Sequence, residues 1–289
     1  MCRPWTCCLT HKPIMNRFVH FLGRYGVAAL AHLYLTVFGW LPRYRAACYE
    51  AAYQLGWRRR PTREPSGPPT LIPPITQKEL IPDPPFVRVL ESDVASGNVS
   101  EYEILVIAQF MAARKPAACF EIGTFDGRTA LNMAANAGPQ CRVYTLDLPA
   151  DQLERTAHDI AYGDAKYIRK ESSGARFVGT QWEEQITQLY GDSATFDFSP
   201  YEGKMDVVFV DGSHSYEYVR ADTATALKLI KPEGGLILWH DYGSKWWKDL
   251  TRAMNELYEN ESRLRTMRHI RGTTLVVWEE RDEGGGRKP

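Results

Sequence analysis

The chain has 289 residues, with 35 Lys+Arg balancing 35 Asp+Glu, 44% hydrophobic and 24% charged residues. That mix excludes a wholly disordered chain, a collagen-like repeat and a multi-span membrane protein. The balance hides an asymmetry: residues 1–60 carry nine basic residues against one acid, Glu50, so the rest of the chain is net −8, a poor nucleic-acid-binding surface.

Residues 25–42 contain no formally charged side chain, but Gly26, His32, Thr36, Gly39 and Pro42 interrupt the apolar run. Three readings stand there: a packed helix, a helix lying on a membrane surface, and a membrane span. Arginines flank both ends and no small-residue cleavage site follows, so the run sets no orientation and does not read as a typical secretory signal. A second helix over 45–57 would complete a basic, apolar helical segment over 1–60. Residues 17–60 are the part expected to meet an acidic membrane surface or an acidic partner. Residues 61–99 read as a linker, because nine of the 18 prolines fall within 61–85 and proline lacks an amide donor. A helix over 100–113 follows, with Ser100 as N-cap and Glu103 three residues on.

Strands and helices then alternate. Strands are expected at 117–122, 142–146, 175–178, 205–210 and 235–239, and helices at 127–137, 216–230 and 246–258. The 28 residues between Leu148 and Ala175 are too many for a simple loop, so they should hold a helix. Two last strands, 265–270 and 273–279, are separated by Arg271-Gly272, a hairpin signal. This pattern predicts an α/β fold: an open, Rossmann-like sheet of seven strands with a C-terminal hairpin, helices on both faces, spanning 100–280. Residues 281–289 should form a disordered tail. The cysteines are Cys2, Cys7, Cys8, Cys48, Cys119 and Cys141, with no two-residue spacing of a metal or redox site. A reducing, cytoplasmic compartment is the simpler expectation.

The chemistry concentrates in Phe120-Glu-Ile-Gly-Thr-Phe-Asp-Gly-Arg-Thr-Ala130. An apolar strand ends there in a turn with Gly123 and Gly127, at the carboxyl edge where such sheets bind ligands. Asp147 ends the next strand, where an acid accepts from the hydroxyls of a ribose. Glu121 and Asp126 put two carboxylates at the turn, which disfavours a pyrophosphate and favours a ligand bearing an amine and a sulfonium.

On these residues the sequence resembles the class I S-adenosylmethionine-dependent methyltransferases. Gly191-Asp192-Ser193, then Asp211-Gly-Ser-His-Ser-Tyr-Glu217, Asp222, Pro232-Glu-Gly-Gly235 and His240-Asp241-Tyr242 follow in an order that looks like a subgroup related to sugar and natural-product O-methyltransferases. The resemblance implies that Glu121, Gly123, Thr124, Asp126 and Gly127 surround the methionine part of S-adenosylmethionine. It further implies that Asp147 holds the ribose, Asp192 and Ser193 the adenine, and that Asp211 lies below the sulfonium. His214 is the candidate general base, since its ordinary pKa lies near neutrality. Asp241 is preferred to His240, which strand alternation would turn away. Related magnesium-dependent enzymes hold the ion on carboxylates matching Asp211 and Asp241, but the third position here is Tyr242, a poor magnesium ligand. Trp239, Tyr242, Trp246 and Trp247 either stack on an acceptor or pack the last helix.

The expected activity is methyl transfer, to oxygen by the resemblance, on a hydroxyl of a small molecule or glycan. Self-association is a further expected contact. The rivals are a nicotinamide-dependent oxidoreductase and a non-catalytic cofactor-binding module docked through the N-terminal helices.

Overall fold

The computed structural model describes residues 68–280, together with Gly26. The chain divides between Glu64 and Pro65, and residues 68–280 lie in the second unit. The expected N-terminal helices, the four N-terminal cysteines, the start of the proline-rich stretch and the tail 281–289 lie outside the described residues. Among the described residues no helix is long and apolar enough to cross a membrane.

The elements in chain order are β1 (Pro74–Ile75), α1 (Gln77–Leu80), α2 (Glu101–Arg114), β2 (Ala118–Ile122), α3 (Arg128–Ala137), β3 (Arg142–Asp147), α4 (Ala165–Ile168), β4 (Ile186–Tyr190), β5 (Val207–Val210), α5 (Tyr216–Leu229), β6 (Leu236–Trp239), α6 (Lys248–Asn260), β7 (Arg268–Ile270) and β8 (Val276–Glu279). They build one eight-stranded sheet in the order β1-β7-β8-β6-β5-β2-β3-β4. Strands β2 to β6 run parallel to their neighbours among themselves, and β8 is antiparallel to both β6 and β7. The Rossmann-like α/β sheet with a reversed last strand is the architecture the sequence predicts.

Two-residue alternation on fully buried strands explains the layers. Cys119, Val207, Phe209, Leu236 and Leu238 face one side and pack with Ile104, Met111, Leu131 and Met133 of α2 and α3. Phe120, Ile122, Val208, Val210, Ile237 and Trp239 face the other side, against Val219, Leu229, Leu250 and Met254 of α5 and α6. Burying each such side chain contributes about 1.5–3 kcal/mol. Helix α2 begins as expected: Ser100 accepts from the Glu103 amide, and the Glu103 carboxylate accepts from the Ser100 amide at 3.1 Å. It ends at Lys115, which is left-handed at φ 49°, just before Pro116.

Two expectations need correction. The strand expected at 175–178 is a turn, and the edge strand is Ile186–Tyr190. The amides of that turn are committed elsewhere: Gly174 N donates to Phe125 O at 3.1 Å and Arg176 N to Asp126 O at 2.9 Å. Phe177 is buried against Gly127 and Gly174. The proline-rich stretch is also not a bare spacer over its described part. Pro74 and Ile75 pair with His269 and Ile270 and add the eighth strand at the sheet edge, where a missing amide donor is tolerated. Ile72, Ile81 and Val99 are buried.

Candidate functional site

Because β2 to β6 are parallel, their carboxyl ends share one rim, and a cleft of about 870 Å³ opens there. Gly123 follows β2, Asp147 ends β3, Asp192 and Ser193 follow β4, Asp211 follows β5, and Asp241 follows β6; all of them line the cleft. Ile122, Phe125, Leu146, Ile160 and Ile168 supply apolar wall.

The structure places Glu121, Thr124, Asp126 and Gly127 behind the cleft rather than in its wall. Glu121 shares the face of β2 that packs toward α2 and α3, and is fully buried. Burial pushes its carboxyl well above the ordinary carboxylate range, although the hydroxyl of Thr145 donates to it. Its Oε1 has no partner. Thr124 Oγ1 lies 2.6 Å from Thr145 Oγ1 and accepts from Gln188 Nε2 at 2.9 Å. Asp126 accepts from Arg176 Nε at 2.7 Å and from Asn98 Nδ2 at 2.9 Å. Gly127 caps α3 and faces Gly174 and Phe177. The turn therefore does not present two free carboxylates. One is buried, which pushes its pKa up, and the other is paired with an arginine. Gly123 does line the cleft, but its need for glycine comes from the protein itself. At φ 100° a Cβ there would lie 2.0 Å from the Asp211 carbonyl oxygen.

The negative charge of the site sits elsewhere, in Asp147, Asp164, Asp192, Asp211 and Asp241 around the cleft. Asp147 accepts from Lys170 Nζ at 2.7 Å and from the Ser173 hydroxyl. Asp192 accepts from the Ala157 amide at 2.7 Å, the Ala194 amide at 3.0 Å and the Tyr218 hydroxyl at 2.7 Å. Three of its roughly four lone-pair directions are thus used.

His214 stands at the other end. Its Nδ1 lies 2.7 Å from Asp164 Oδ1, its Nε2 2.9 Å from Asp241 Oδ2 and 3.8 Å from Asp211 Oδ1. Trp247 stacks on its ring at 4.2 Å and 12°. Burial by itself lowers the imidazole pKa, but the bonds to Asp164 and Asp241 outweigh it and raise the value to about 10. Without a ligand, then, His214 is an imidazolium between two carboxylates. Asp241 is held below the usual range: burial raises it, and His240 and His214 lower it by more.

His240 continues the face of Leu236 and Leu238 toward α2, is buried and does not line the cleft, as strand alternation predicts, whereas Asp241, left-handed at φ 63°, lines it. His240 Nδ1 lies 3.0 Å from Asp211 Oδ1 and its Nε2 3.3 Å from Glu103 Oε2. Glu103 also accepts from the Thr274 amide at 2.6 Å. The same side chain that caps α2 thus holds the imidazole next to Asp211.

Asp211, His214 and Asp241 offer ligand atoms within 4.8 Å of one another. They do not fit magnesium. The ion wants several oxygens in octahedral array, whereas Asp211 is engaged by His240 and Asp241 by His214. Tyr242, at the third position of the magnesium-dependent pattern, points away: its hydroxyl donates to Asn255 Oδ1 at 2.6 Å and accepts from the Leu71 and Ile72 amides at 2.7 and 3.0 Å. Tyr242 and Trp239 are packing residues, the latter donating to Thr223 Oγ1 at 3.0 Å. Trp247 lines the cleft and Trp246 is exposed.

Sequence reasoning missed Asp164, Lys170, Arg176 and Tyr218. Three of them lie between β3 and β4, where no periodicity marks them. The one signal was the excess length of that connection, which is characteristic of functional loops.

The sequence model of a family described as a methyltransferase domain matches residues 120–242. No curated protein matches the chain. Among solved structures, it is similar to a cofactor-bound protein from MTB (16% identity, 66% of this chain and 85% of that one, TM-score 0.44). It is also similar to an O-methyltransferase from Streptomyces achromogenes involved in tomaymycin synthesis, in complex with SAM (17% identity, 64% and 82%, TM-score 0.43). An O-methyltransferase from Bacillus cereus in complex with SAH is similar at 17% identity over 64% and 84%, TM-score 0.43. Likenesses this weak decide neither acceptor nor chemistry. The family match, by contrast, runs from Phe120 in β2 to Tyr242 beyond β6, the span whose strand ends build the acidic rim. Residues 120–242, under half of the chain, thus match a methyltransferase domain, in line with the S-adenosylmethionine-dependent class that the ordered motifs resemble.

Proposed function

We propose that this chain transfers the methyl group of S-adenosylmethionine to a hydroxyl oxygen of a small-molecule or glycan acceptor. The observation that supports this most is the charge of the cleft: five aspartates around apolar walls, against Lys170 and His214. A nucleoside carrying an amine and a sulfonium gains from that field, and a diphosphate is repelled. Bound there, the cofactor supplies a methyl group on a cationic sulfur that is a good leaving group.

The residues have distinct tasks in this reading. Asp147 accepts from ribose hydroxyls once Ser173 and Lys170 share or leave it. Asp192 keeps one lone pair for an exocyclic amine, beside Ser193 and Tyr218. Asp211, pinned by His240, provides negative charge near the sulfonium. The acceptor hydroxyl binds at Nε2 of His214 and Asp241, which take its proton as the methyl bond forms. Glu121, Thr124, Asp126 and Gly127 act through the shape of the turn.

Calorimetry tests the reading directly. S-adenosylhomocysteine should bind, NAD should not, and magnesium should change neither result. Binding of NAD in place of S-adenosylhomocysteine would overturn it. Contact of residues 17–60 with an acidic membrane surface is part of the proposal and rests on their sequence. Recovery of the full-length protein wholly in the soluble fraction at low salt would remove that part.

A further inference from the structure

We propose that Asp164 is the positioning residue of the site: it fixes the orientation and the Nδ1–H tautomer of His214, so that Nε2 faces the acceptor. The proposal rests on the methyl-transfer reading only for what the imidazole then does.

One buried carboxylate gathers three donors from a loop fifty residues away. Asp164 Oδ2 accepts from Ser213 Oγ at 2.9 Å and from the His214 amide at 2.8 Å, and Oδ1 meets His214 Nδ1 at 2.7 Å. Asp164 stands at the N-cap of α4, where an aspartate ordinarily accepts from its own helix; here it makes no such bond. Its hydrogen bonds go across the cleft instead. The residue before it completes the clamp: Gly163 is pressed so close to Trp247 that a Cβ would lie 2.4 Å from the indole. That indole is the one stacked on His214. Consecutive residues therefore hold the imidazole by its edge and back its stacking partner.

A carboxylate on Nδ1 keeps the proton there and leaves Nε2 as the exchanging atom, the same division of labour found wherever an acid orients a catalytic imidazole. The other charged groups facing the ring are Asp241 at Nε2, Asp211 at 3.8 Å, and Asp222 on α5. Among the described carboxylates that bond or pair with the ring, Asp164 alone meets Nδ1; Asp241 and Asp211 both meet Nε2.

The test uses the full chain labelled with 15N-histidine, with His214 assigned by its absence in His214→Gln. In the wild type the ring should titrate near pH 10 and show an Nδ1–H proton protected from exchange. Asp164→Asn should lower the midpoint by about one pH unit or more and abolish the protection, and Asp164→Glu should restore both at least in part. An unchanged midpoint and signal in Asp164→Asn would overturn the proposal. Should that variant fail to fold, a wild-type ring without a protected Nδ1–H overturns it equally. Binding of S-adenosylhomocysteine is measured in parallel. Its absence counts against the methyl-transfer reading alone, because the ring signals do not depend on the cofactor.

Discussion

Asp222 shows how a single buried acid leaves a thermodynamic signature. It sits on α5 behind the Asp211–His214 loop, and a Cβ on Gly212 would lie 2.8 Å from its Oδ2. Burial raises its pKa to about 7; Ser193 and His214 lower it and Asp192 raises it. The folded state thus binds this proton more tightly than the unfolded chain, where the value is near 3.8. Its contribution to stability is present below pH 3.8 and is lost as pH rises through about 7. We expect Asp222→Asn to match the wild type in thermal melts near pH 4 and to exceed it at pH 8. The difference should be a few kcal/mol, at about 1.4 kcal/mol per pH unit between the two values. A pH-independent difference would show that Asp222 ionises in the fold as it does in water. None of this was legible in the sequence, which singled out Asp222 only as part of an ordered motif.

At the scale of elements, the turn after β2 illustrates how a correct motif can have a different cause. Gly123 and Gly127 were recognised as a ligand-side turn, and the turn is at the cleft. Yet Gly123 is required by the end of β5, because a Cβ there would lie 2.0 Å from the Asp211 carbonyl oxygen. Gly123→Ala should therefore cost about 2–4 kcal/mol through backbone strain and displacement. Chemical denaturation checks this without any ligand. A loss of cofactor affinity with unchanged stability would instead assign the glycine to ligand approach. The strand expected at 175–178 failed for a related reason. Its short apolar composition is compatible with a strand, but its amides are taken by the glycine turn and Arg176 by Asp126, so it becomes the strut behind the turn. Local composition does not say where an amide will find its partner.

At the scale of the whole molecule, the acidic rim and the buried imidazoles respond to ligand charge together. His214 is an imidazolium at neutral pH because two carboxylates hold it. A cation bound among the same aspartates competes for them and lowers that pKa by on the order of one to three pH units. We expect S-adenosylmethionine binding at pH 8 to release a fraction of a proton, and binding of S-adenosylhomocysteine, which lacks the sulfonium charge, to release less. Calorimetry in buffers of different ionisation enthalpy reads the difference. Equal proton release by the two ligands would uncouple His214 from the sulfonium. In the proposed reaction, that release would give a share of His214 the neutral form a base needs before the methyl group moves.

The alternating apolar strands, the capped helix at Ser100, the hairpin and the acids at strand ends were all properties of the sequence. Each follows from local periodicity or from the chain direction that parallel strands impose. Asp147, Asp192, Asp211, His214 and Asp241 come to one cleft because that topology leaves their positions little choice. Tertiary structure alone decided which charges stay free. Arg176 pairs with Asp126, burial pushes the Glu121 pKa up, Glu103 of α2 holds His240 behind Asp211, and Asp164 arrives from an unpatterned connection to hold His214. Those outcomes depend on desolvation and on contacts between residues tens of positions apart, which no local pattern encodes.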